Sequence, residues 1–184
     1  MAQNVAVLVG SLRKASFSRR AAHMLVALAP PGMQCRLVEI GELPPYNQDL
    51  DEAPPQAWVM FREQIRTAEA VLFVTPEYNR SVPGVLKNAI DVGSRPYGSS
   101  VWNGKPGAVM SISPGAIGGF GANHHLRQSM VFLNVPMMQQ PEAYIGGAAN
   151  LFDEAGAVTN EGTRKFFENF MTAFSAWIGV HTAK

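Results

Sequence analysis

Three segments of this chain combine residue types that could bind a flat, anionic ligand. The first, residues 10–20, holds three serines and four cations and runs into the apolar spacing of a helix. Hydroxyls and free backbone N–H groups at a helix start bind anions, the helix dipole favours them, and arginine can donate two hydrogen bonds to their oxygens. The segment therefore predicts a phosphate site; the alternative is a serine-rich turn with solvated cations.

Neither common phosphate fingerprint is present in residues 10–20. The Walker pattern needs Gly-Lys-Ser/Thr at the end of the loop, and the dinucleotide pattern needs three spaced glycines, whereas only Gly10 is available. A mononucleotide or a flavin phosphate fits better. We expect Ser18 to be the N-cap of the following helix, although Ala21 stands where a capping box needs Glu or Gln.

The other two segments also follow apolar strands. Residues 70–74 form an unbroken apolar run, typical of a strand covered on both faces, and lead into the polar residues 75–91. Residues 113–121 follow another strand and contain four glycines, which allow a backbone to lie close to a flat ligand; an ordinary glycine-rich connection is the alternative. Open α/β sheets bind ligands at the carboxyl ends of their strands, so the three loops together predict one site.

The elements that position these loops alternate between strand and helix. Strands are predicted at 5–9, 34–40, 70–74, 105–112 and 135–138. The last is expected at an edge, because Pro136 cannot donate to a ladder. Helices are predicted at 21–29, 56–68, 83–93, 119–133 and 162–182, and the aromatic stripe of the last one is expected to face the core.

This alternation predicts an α/β fold. We expect a flavodoxin-like three-layer sandwich, with a five-stranded parallel sheet in the order 2-1-3-4-5 and helices on both faces. In that fold, FMN sits at the switch between the first and third strands. Residues 1–184 are expected to form a single FMN-binding domain.

Three motifs carry a resemblance to a known family. Residues 10–17, 76–91 and 115–119 read GSLRKxSF, PEYNxSVPGxLKNAID and GxIGG. In this order and at this spacing, they resemble the NADPH-dependent FMN reductase family, in its chromate and quinone reductase branch. Two positions depart from the family pattern: Ser18 stands where Asn is common, and Arg80 where Tyr is common.

The resemblance implies noncovalent FMN as cofactor and NAD(P)H as cosubstrate. The first motif would surround the FMN phosphate, the second would line the isoalloxazine and ribityl side, and the third would close the other edge. The residues that the resemblance places at FMN are Ser11, Arg13, Ser16, Phe17, Ser18, Pro76, Glu77, Tyr78, Asn79, Ser113, Gly115 and Gly118.

The expected function is that of an FMN-dependent NAD(P)H:acceptor oxidoreductase. It would reduce quinones by two electrons in a ping-pong sequence, with chromate, ferric complexes or azo compounds as further acceptors. Tyr78 is expected to be a packing wall beside the flavin, the alternative being a proton donor. Two alternatives remain: a flavodoxin-type electron carrier and a flavin-binding redox sensor with little turnover. Electron carriers of this type have strongly acidic surfaces, whereas this chain has 15 Lys and Arg and 14 Asp and Glu.

The resemblance further implies a homodimer or homotetramer, with the helices after the second and third loops meeting across a two-fold axis. Arg95 lies on the loop after one of these helices, which must end by Gly93 because the residue before Pro96 avoids the helical region. We expect Arg95 to reach the other subunit's active site and contact the acceptor or the nucleotide. A solvated surface arginine is the alternative.

Composition narrows the possible partners. The net charge of +1 does not suggest a nucleic-acid-binding or membrane-surface protein. The chain has one cysteine, Cys35, so an internal disulfide is excluded and a reducing compartment fits. The first residues show neither a charged n-region nor a long apolar run, so we expect no signal peptide, no membrane insertion and a cytoplasmic location.

No metal site is expected. His124 and His125 are neighbours on a predicted helix and diverge by roughly 100°, so they cannot share one metal. No other group of Cys, His, Asp or Glu has ligand spacing.

Overall fold

The computed structural model describes residues 2–153 and 156–182, and a parallel sheet forms its centre. The strands are β1 Gln3–Val9, β2 Met33–Val38, β3 Ala70–Thr75, β4 Gly107–Ile112 and β5 Ala143–Ile145. They lie in the order β2-β1-β3-β4-β5, and each neighbouring pair is parallel. The predicted five-stranded sheet in the order 2-1-3-4-5 is confirmed.

Helices cover both faces of the sheet. They are α1 Phe17–Ala27, α2 Gln56–Arg66, α3 Gly84–Gly93, α4 Phe120–Phe132 and α5 Glu161–Thr182. Alternate residues of β1 face opposite sides: Val5 and Val7 belong to the core under α1 and α5, whereas Ala6 and Leu8 belong to the core under α2, α3 and α4. Because both faces are buried, the central strands read as continuous apolar runs, and the predicted three-layer sandwich is confirmed.

The aromatic stripe of α5 is core. Phe167, Phe170 and Phe174 are fully buried and pack on the same face of the sheet as α1. The prediction that this stripe serves packing is therefore confirmed.

The prediction of a fifth strand at 135–138 is wrong. Residues Pro136 and Met138 make only two backbone hydrogen bonds to Gly107, at the amino end of β4. The strand that continues the sheet is β5, whose Ala143 pairs with Met110 at the carboxyl end of β4. Pro136 has no N–H to extend a ladder, so the chain crosses the start of β4 and joins the sheet only later.

Residues 41–55, called the strap loop below, connect β2 to α2 over the surface. The loop contains one 3₁₀ turn, Gln48–Leu50, and the side-chain amide of Asn88 on α3 donates to its Leu43 and Pro44 carbonyls. Within residues 2–153 and 156–182, no helix combines the length and hydropathy needed to cross a membrane.

Candidate active site

The first loop leaves β1 beside the end of β3. The Gly10 N–H donates to the Val74 carbonyl, at 2.9 Å. A Cβ at Gly10 would lie 2.7 Å from Thr75 Oγ1, so only glycine allows this approach of the two strands. The loop that follows β1 therefore starts directly at the end of β3.

Helix α1 is capped by Ser16, so the prediction of Ser18 as N-cap is wrong. Ser16 has an extended backbone, and its hydroxyl accepts a hydrogen bond from Arg19 N at 3.1 Å. This is the usual geometry of an N-cap, whose oxygen satisfies a free N–H in the first turn. Ser18 lies inside that turn and is only 1% exposed.

The start of α1 offers donors for an anion. Ser11, Ser16 and Ser18 are all buried, yet their side chains line an open cavity, and the first turn of the helix carries no acidic residue. The Arg13 guanidinium lies 5.9 Å above the Phe17 ring and borders the same cavity. Hydroxyls, a guanidinium and the positive end of a helix dipole form a donor set that fits a phosphate.

Arg19 forms an ion pair outside the cavity. Its guanidinium makes two hydrogen bonds to the Glu39 carboxylate, both at 2.8 Å. The hydrogen bond from Arg19 lowers the pKa of Glu39, and the same bond raises the pKa of Arg19. This cation of the first segment therefore serves an ion pair between α1 and the residue after β2, not the cavity.

The second loop forms a tight turn after β3. Tyr78 and Ser81 exchange backbone hydrogen bonds of 3.1 and 3.0 Å, and the two residues between them have positive φ, 51° at Asn79 and 64° at Arg80. Two successive left-handed residues define a type I′ turn, in which glycine is the usual second residue. Arg80 occupies this position without being glycine, which is a source of backbone strain.

Helix α4 holds this turn in place. The Glu77 carboxylate accepts a hydrogen bond from Ala122 N at 3.1 Å and lies 3.3 Å from Arg80 Nη1. On the far side of the turn, the Ser81 hydroxyl lies 3.0 Å from His125 Nδ1. The contacts with Ala122 and His125 thus fix the turn against the helix that follows the third loop, and the contact between Glu77 and Arg80 lies within the second loop itself.

The third loop packs Gly118 against β5. Gly118 has φ 65°, and a Cβ there would lie 2.5 Å from the Tyr144 carbonyl carbon. The loop is tied down by Ser113, whose N–H donates to Ile145 O at 2.9 Å and whose hydroxyl accepts from Gly115 N at 3.1 Å. Gly118 is therefore required for packing of the loop on the sheet edge, and it does not border the cavity.

The three loops enclose a cavity of about 240 Å³. It is lined by Ser11, Arg13, Ser16, Phe17, Ser18, Pro76, Glu77, Tyr78, Ile112, Ser113 and Pro114. Of the residues predicted at FMN, Asn79, Gly115 and Gly118 lie outside this lining. Sequence reasoning missed Ile112 and Pro114, which flank Ser113 at the end of β4 and could have been found from that position alone.

The two residues considered for acceptor contact lie apart. Tyr78 borders the cavity and is 51% exposed, so about half of the residue is accessible to solvent. Arg95 instead lies in a separate groove between α3 and α4, with its guanidinium 5.9 Å from the Tyr46 ring centroid. A single chain therefore does not bring Arg95 to its own cavity.

The histidines of α4 diverge as predicted. His124 Nε2 lies 2.9 Å from the Tyr144 hydroxyl, whereas His125 contacts Ser81. Across the described residues, no three His, Cys, Asp or Glu side chains are grouped so that they could hold a metal ion.

The donor set of the cavity fits FMN. Anion donors gather at the start of α1, and the Pro76–Tyr78 segment and Ser113 form the adjoining wall. The site lies where β1 has β2 on one side and β3 on the other, which is the switch point at which flavodoxin-like sheets bind FMN.

Comparison with known proteins agrees with this geometry. Residues 3–150 match the family model for NADPH-dependent FMN reductase. The chain is 62% identical to a quinone reductase of Pseudomonas putida over 181 residues, covering 98% of this chain and 97% of the relative. It is 48% identical to a 2-hydroxy-1,4-benzoquinone reductase of a Burkholderia species, covering 97% of both chains.

A solved structure has the same fold over its whole length. The flavoenzyme FerB of Paracoccus denitrificans, an NAD(P)H:acceptor oxidoreductase, superposes with a TM-score of 0.92 at 44% identity, covering 98% of this chain and 99% of FerB. The chain therefore belongs to the NADPH-dependent FMN reductase family, and it is an oxidoreductase with FMN as cofactor and NAD(P)H as cosubstrate.

Proposed function

We propose that this protein is a quinone reductase that draws its electrons from NAD(P)H. One observation carries the proposal: the cavity at the ends of β1, β3 and β4 combines phosphate-type donors with an adjoining wall whose tyrosine is open to solvent. The quinone reductases at 62% and 48% identity support it. We further propose that residues 1–184 act as one domain in the cytoplasm.

The phosphate end of the site is built from the first loop. Ser11, Ser16 and Ser18 would donate to phosphate oxygens, and Arg13 would add a charge-assisted hydrogen bond from the rim. The free N–H groups of the α1 first turn lie at the same end. These groups bind and orient; none of them has to transfer a proton.

The ring end of the site is built from the second and third loops. Pro76, Glu77 and Tyr78 would form one wall, and Ser113 would form the other. Asn79, Gly115 and Gly118, which lie outside the cavity lining, would shape the two loops that carry these walls. Because Glu77 accepts a hydrogen bond from the first turn of α4, its carboxylate stabilises the turn. When bound, FMN would supply the redox chemistry, which is hydride uptake from NAD(P)H and return of two electrons to the acceptor in a ping-pong sequence.

The acceptor would bind over the exposed face of Tyr78. Arg80, two residues further along the same turn, has an exposed guanidinium. Ile117 on the third loop and Phe120 at the start of α4 are also exposed. An apolar surface with one cation suits flat quinones and their anionic forms. Chromate, ferric complexes and azo compounds are further acceptors that this open site could admit.

We propose that the protein works as a homodimer or homotetramer. A groove of about 500 Å³ separates α3 from α4, and its border includes Tyr97 and Phe132, which are 85% and 83% exposed. Side chains of this size and exposure mark an association surface. A second copy seated there across a two-fold axis would bring the Arg95 of one subunit toward the cavity of the other.

Initial-rate kinetics test the proposed function. NADH oxidation by the FMN-loaded protein is measured at several fixed concentrations of a benzoquinone. We expect parallel double-reciprocal lines, because the two substrates use one open site in turn. Intersecting lines would contradict the ping-pong sequence, and loss of quinone reduction altogether would favour an electron carrier or a redox sensor.

A further inference from the structure

Four side chains from α2, the strap loop and the segment after α3 form a continuous stack. The Arg62 guanidinium lies 5.4 Å from the Trp58 ring, the Trp58 and Tyr46 rings are 5.5 Å apart, and the Arg95 guanidinium lies 5.9 Å from the Tyr46 ring. Cations within about 6 Å of an aromatic centroid are attracted by its ring face. Arg95 is thus the outermost member of a stack that begins at the buried Arg62.

Tyr46 is fixed at the centre of this stack. Its hydroxyl donates to Asp51 Oδ2 at 2.9 Å, and its backbone N–H donates to the Asn88 side chain at 2.8 Å. Its neighbour Trp58 is itself fixed by a hydrogen bond from Nε1 to Pro44 O at 3.0 Å. The ring face presented to Arg95 is therefore held by both the strap loop and α3.

At the inner end of the stack, the Asp51 carboxylate lies near the Arg62 guanidinium and balances its positive charge. Arg62 Nε donates to Val92 O at 2.9 Å, and its Nη2 lies 3.9 Å from Asp51 Oδ1. The pKa of Tyr46 is raised, mainly by burial and next by the hydrogen bond to Asp51. The phenol therefore stays neutral and can donate this hydrogen bond. Asp51 is thus shared between Tyr46 and Arg62, which links the strap loop to the end of α3.

The contact of Arg95 with the Tyr46 ring uses none of the guanidinium donors. Within residues 2–153 and 156–182, the Arg95 guanidinium has no hydrogen bond and no ion pair, and the Tyr46 ring is its specific partner. A ring face restrains a guanidinium while leaving its N–H groups free. Such an arginine has a restrained orientation and can still donate hydrogen bonds to an anionic or carbonyl oxygen.

We propose that Tyr46 is a positioning residue, which holds the Arg95 guanidinium in the orientation that reaches the partner subunit's acceptor or nucleotide. This inference rests on the proposed role of Arg95 in the shared active site. Tyr46 itself touches neither substrate nor cofactor. Its effect is expected in the Michaelis constants, because it changes how often Arg95 is correctly oriented and not the chemistry at the flavin.

The test compares Tyr46→Leu, which removes the ring face, with Tyr46→Phe, which keeps it and loses only the hydroxyl. In Tyr46→Leu we expect the Michaelis constant of the quinone or of NAD(P)H to rise about two- to five-fold, the factor by which an exposed cation–π contact shifts an equilibrium. The maximal rate and the FMN content should stay unchanged. Tyr46→Phe should keep Michaelis constants close to those of the parent, because the backbone bond to Asn88 and the contact with Trp58 still hold the ring. Leu50→Ala, another truncation on the strap loop, serves as the control for general loosening.

A spectroscopic measurement makes the test independent of turnover. The Arg95 Nε–Hε signal in a side-chain ¹⁵N NMR spectrum should show a ring-current shift and restricted motion in the parent and in Tyr46→Phe. Both should be lost in Tyr46→Leu. An Arg95 signal that is equally shifted and ordered without the ring would overturn the proposal, even if the protein reduced no quinone.

Combination with Arg95→Ala separates this inference from the proposed role of Arg95. If Tyr46 acts through Arg95, the double variant should have the same Michaelis constants as Arg95→Ala alone. If Arg95→Ala raises them but Tyr46→Leu does not, the positioning role is wrong and the shared site stands. If Arg95→Ala has no kinetic effect, both are wrong.

Discussion

The N-cap of α1 gives the sharpest prediction, because the structure assigns capping to Ser16 and not to Ser18. Replacing an N-cap serine by alanine costs about 1 kcal/mol, whereas glycine costs only a few tenths. For a protein of 184 residues, about 1 kcal/mol corresponds to a fall in Tm of about 2–4 °C. We therefore expect FMN-free Ser16→Ala to melt about 2–4 °C below the parent, and Ser16→Gly to melt close to it.

Ser18→Ala is the matched control. The Ser18 hydroxyl makes no hydrogen bond within the described residues but borders the cavity, so its loss should leave the Tm of the FMN-free protein almost unchanged. Both variants should bind FMN more weakly, by roughly tenfold for each lost hydrogen bond to the phosphate. The assays are calorimetry without FMN and quenching of FMN fluorescence on titration. If Ser18→Ala lowers the Tm as much as Ser16→Ala, the capping assignment is refuted.

Three further predictions concern single side chains. Arg13→Ala should weaken FMN binding by about 1.5 kcal/mol, which is the low end for a charge-assisted hydrogen bond because Arg13 is exposed. Arg19→Ala is the control, and it should leave the FMN Kd unchanged because the partner of Arg19 is Glu39. Tyr78→Phe should retain FMN and keep quinone turnover within a few-fold; a much larger loss would show that the hydroxyl transfers a proton. Partial burial raises the pKa of Cys35 to about 11, so its thiol should react slowly with a disulfide reagent at pH 8 and fast after unfolding; rapid labelling of the folded protein would contradict the raised pKa.

The sheet was predictable because its strands are buried on both faces. The unbroken apolar run at 70–74 and the loop after it predicted β3 and its binding loop. The fifth strand was not, because β5 has only three residues, too few to show a strand pattern in the sequence. Its position is decided by pairing with β4, which is a tertiary contact.

The site was predictable as a set of loops but not in its internal contacts. Serines and glycines at the ends of strands indicated where the cavity lies. The contacts of Glu77 with Ala122 and of Ser81 with His125 join segments far apart in the chain, and local patterns carry no signal for them. The same holds for Arg95, whose partner Tyr46 lies on the strap loop. The choice of Ser16 over Ser18 as N-cap depends on a backbone conformation that either serine could have adopted.

The central claim is that the cavity between the loops after β1, β3 and β4 binds FMN and supports quinone reduction. The most direct measurement is steady-state NADH oxidation by one purified sample whose FMN content has been determined, with a benzoquinone as acceptor and the Ser18→Ala variant alongside. We expect a yellow protein with turnover above about one per second, consumption of one NADH per quinone, and a parallel loss of FMN and activity in the variant. A colourless protein that binds no added FMN, or bound FMN with negligible turnover, would contradict the account.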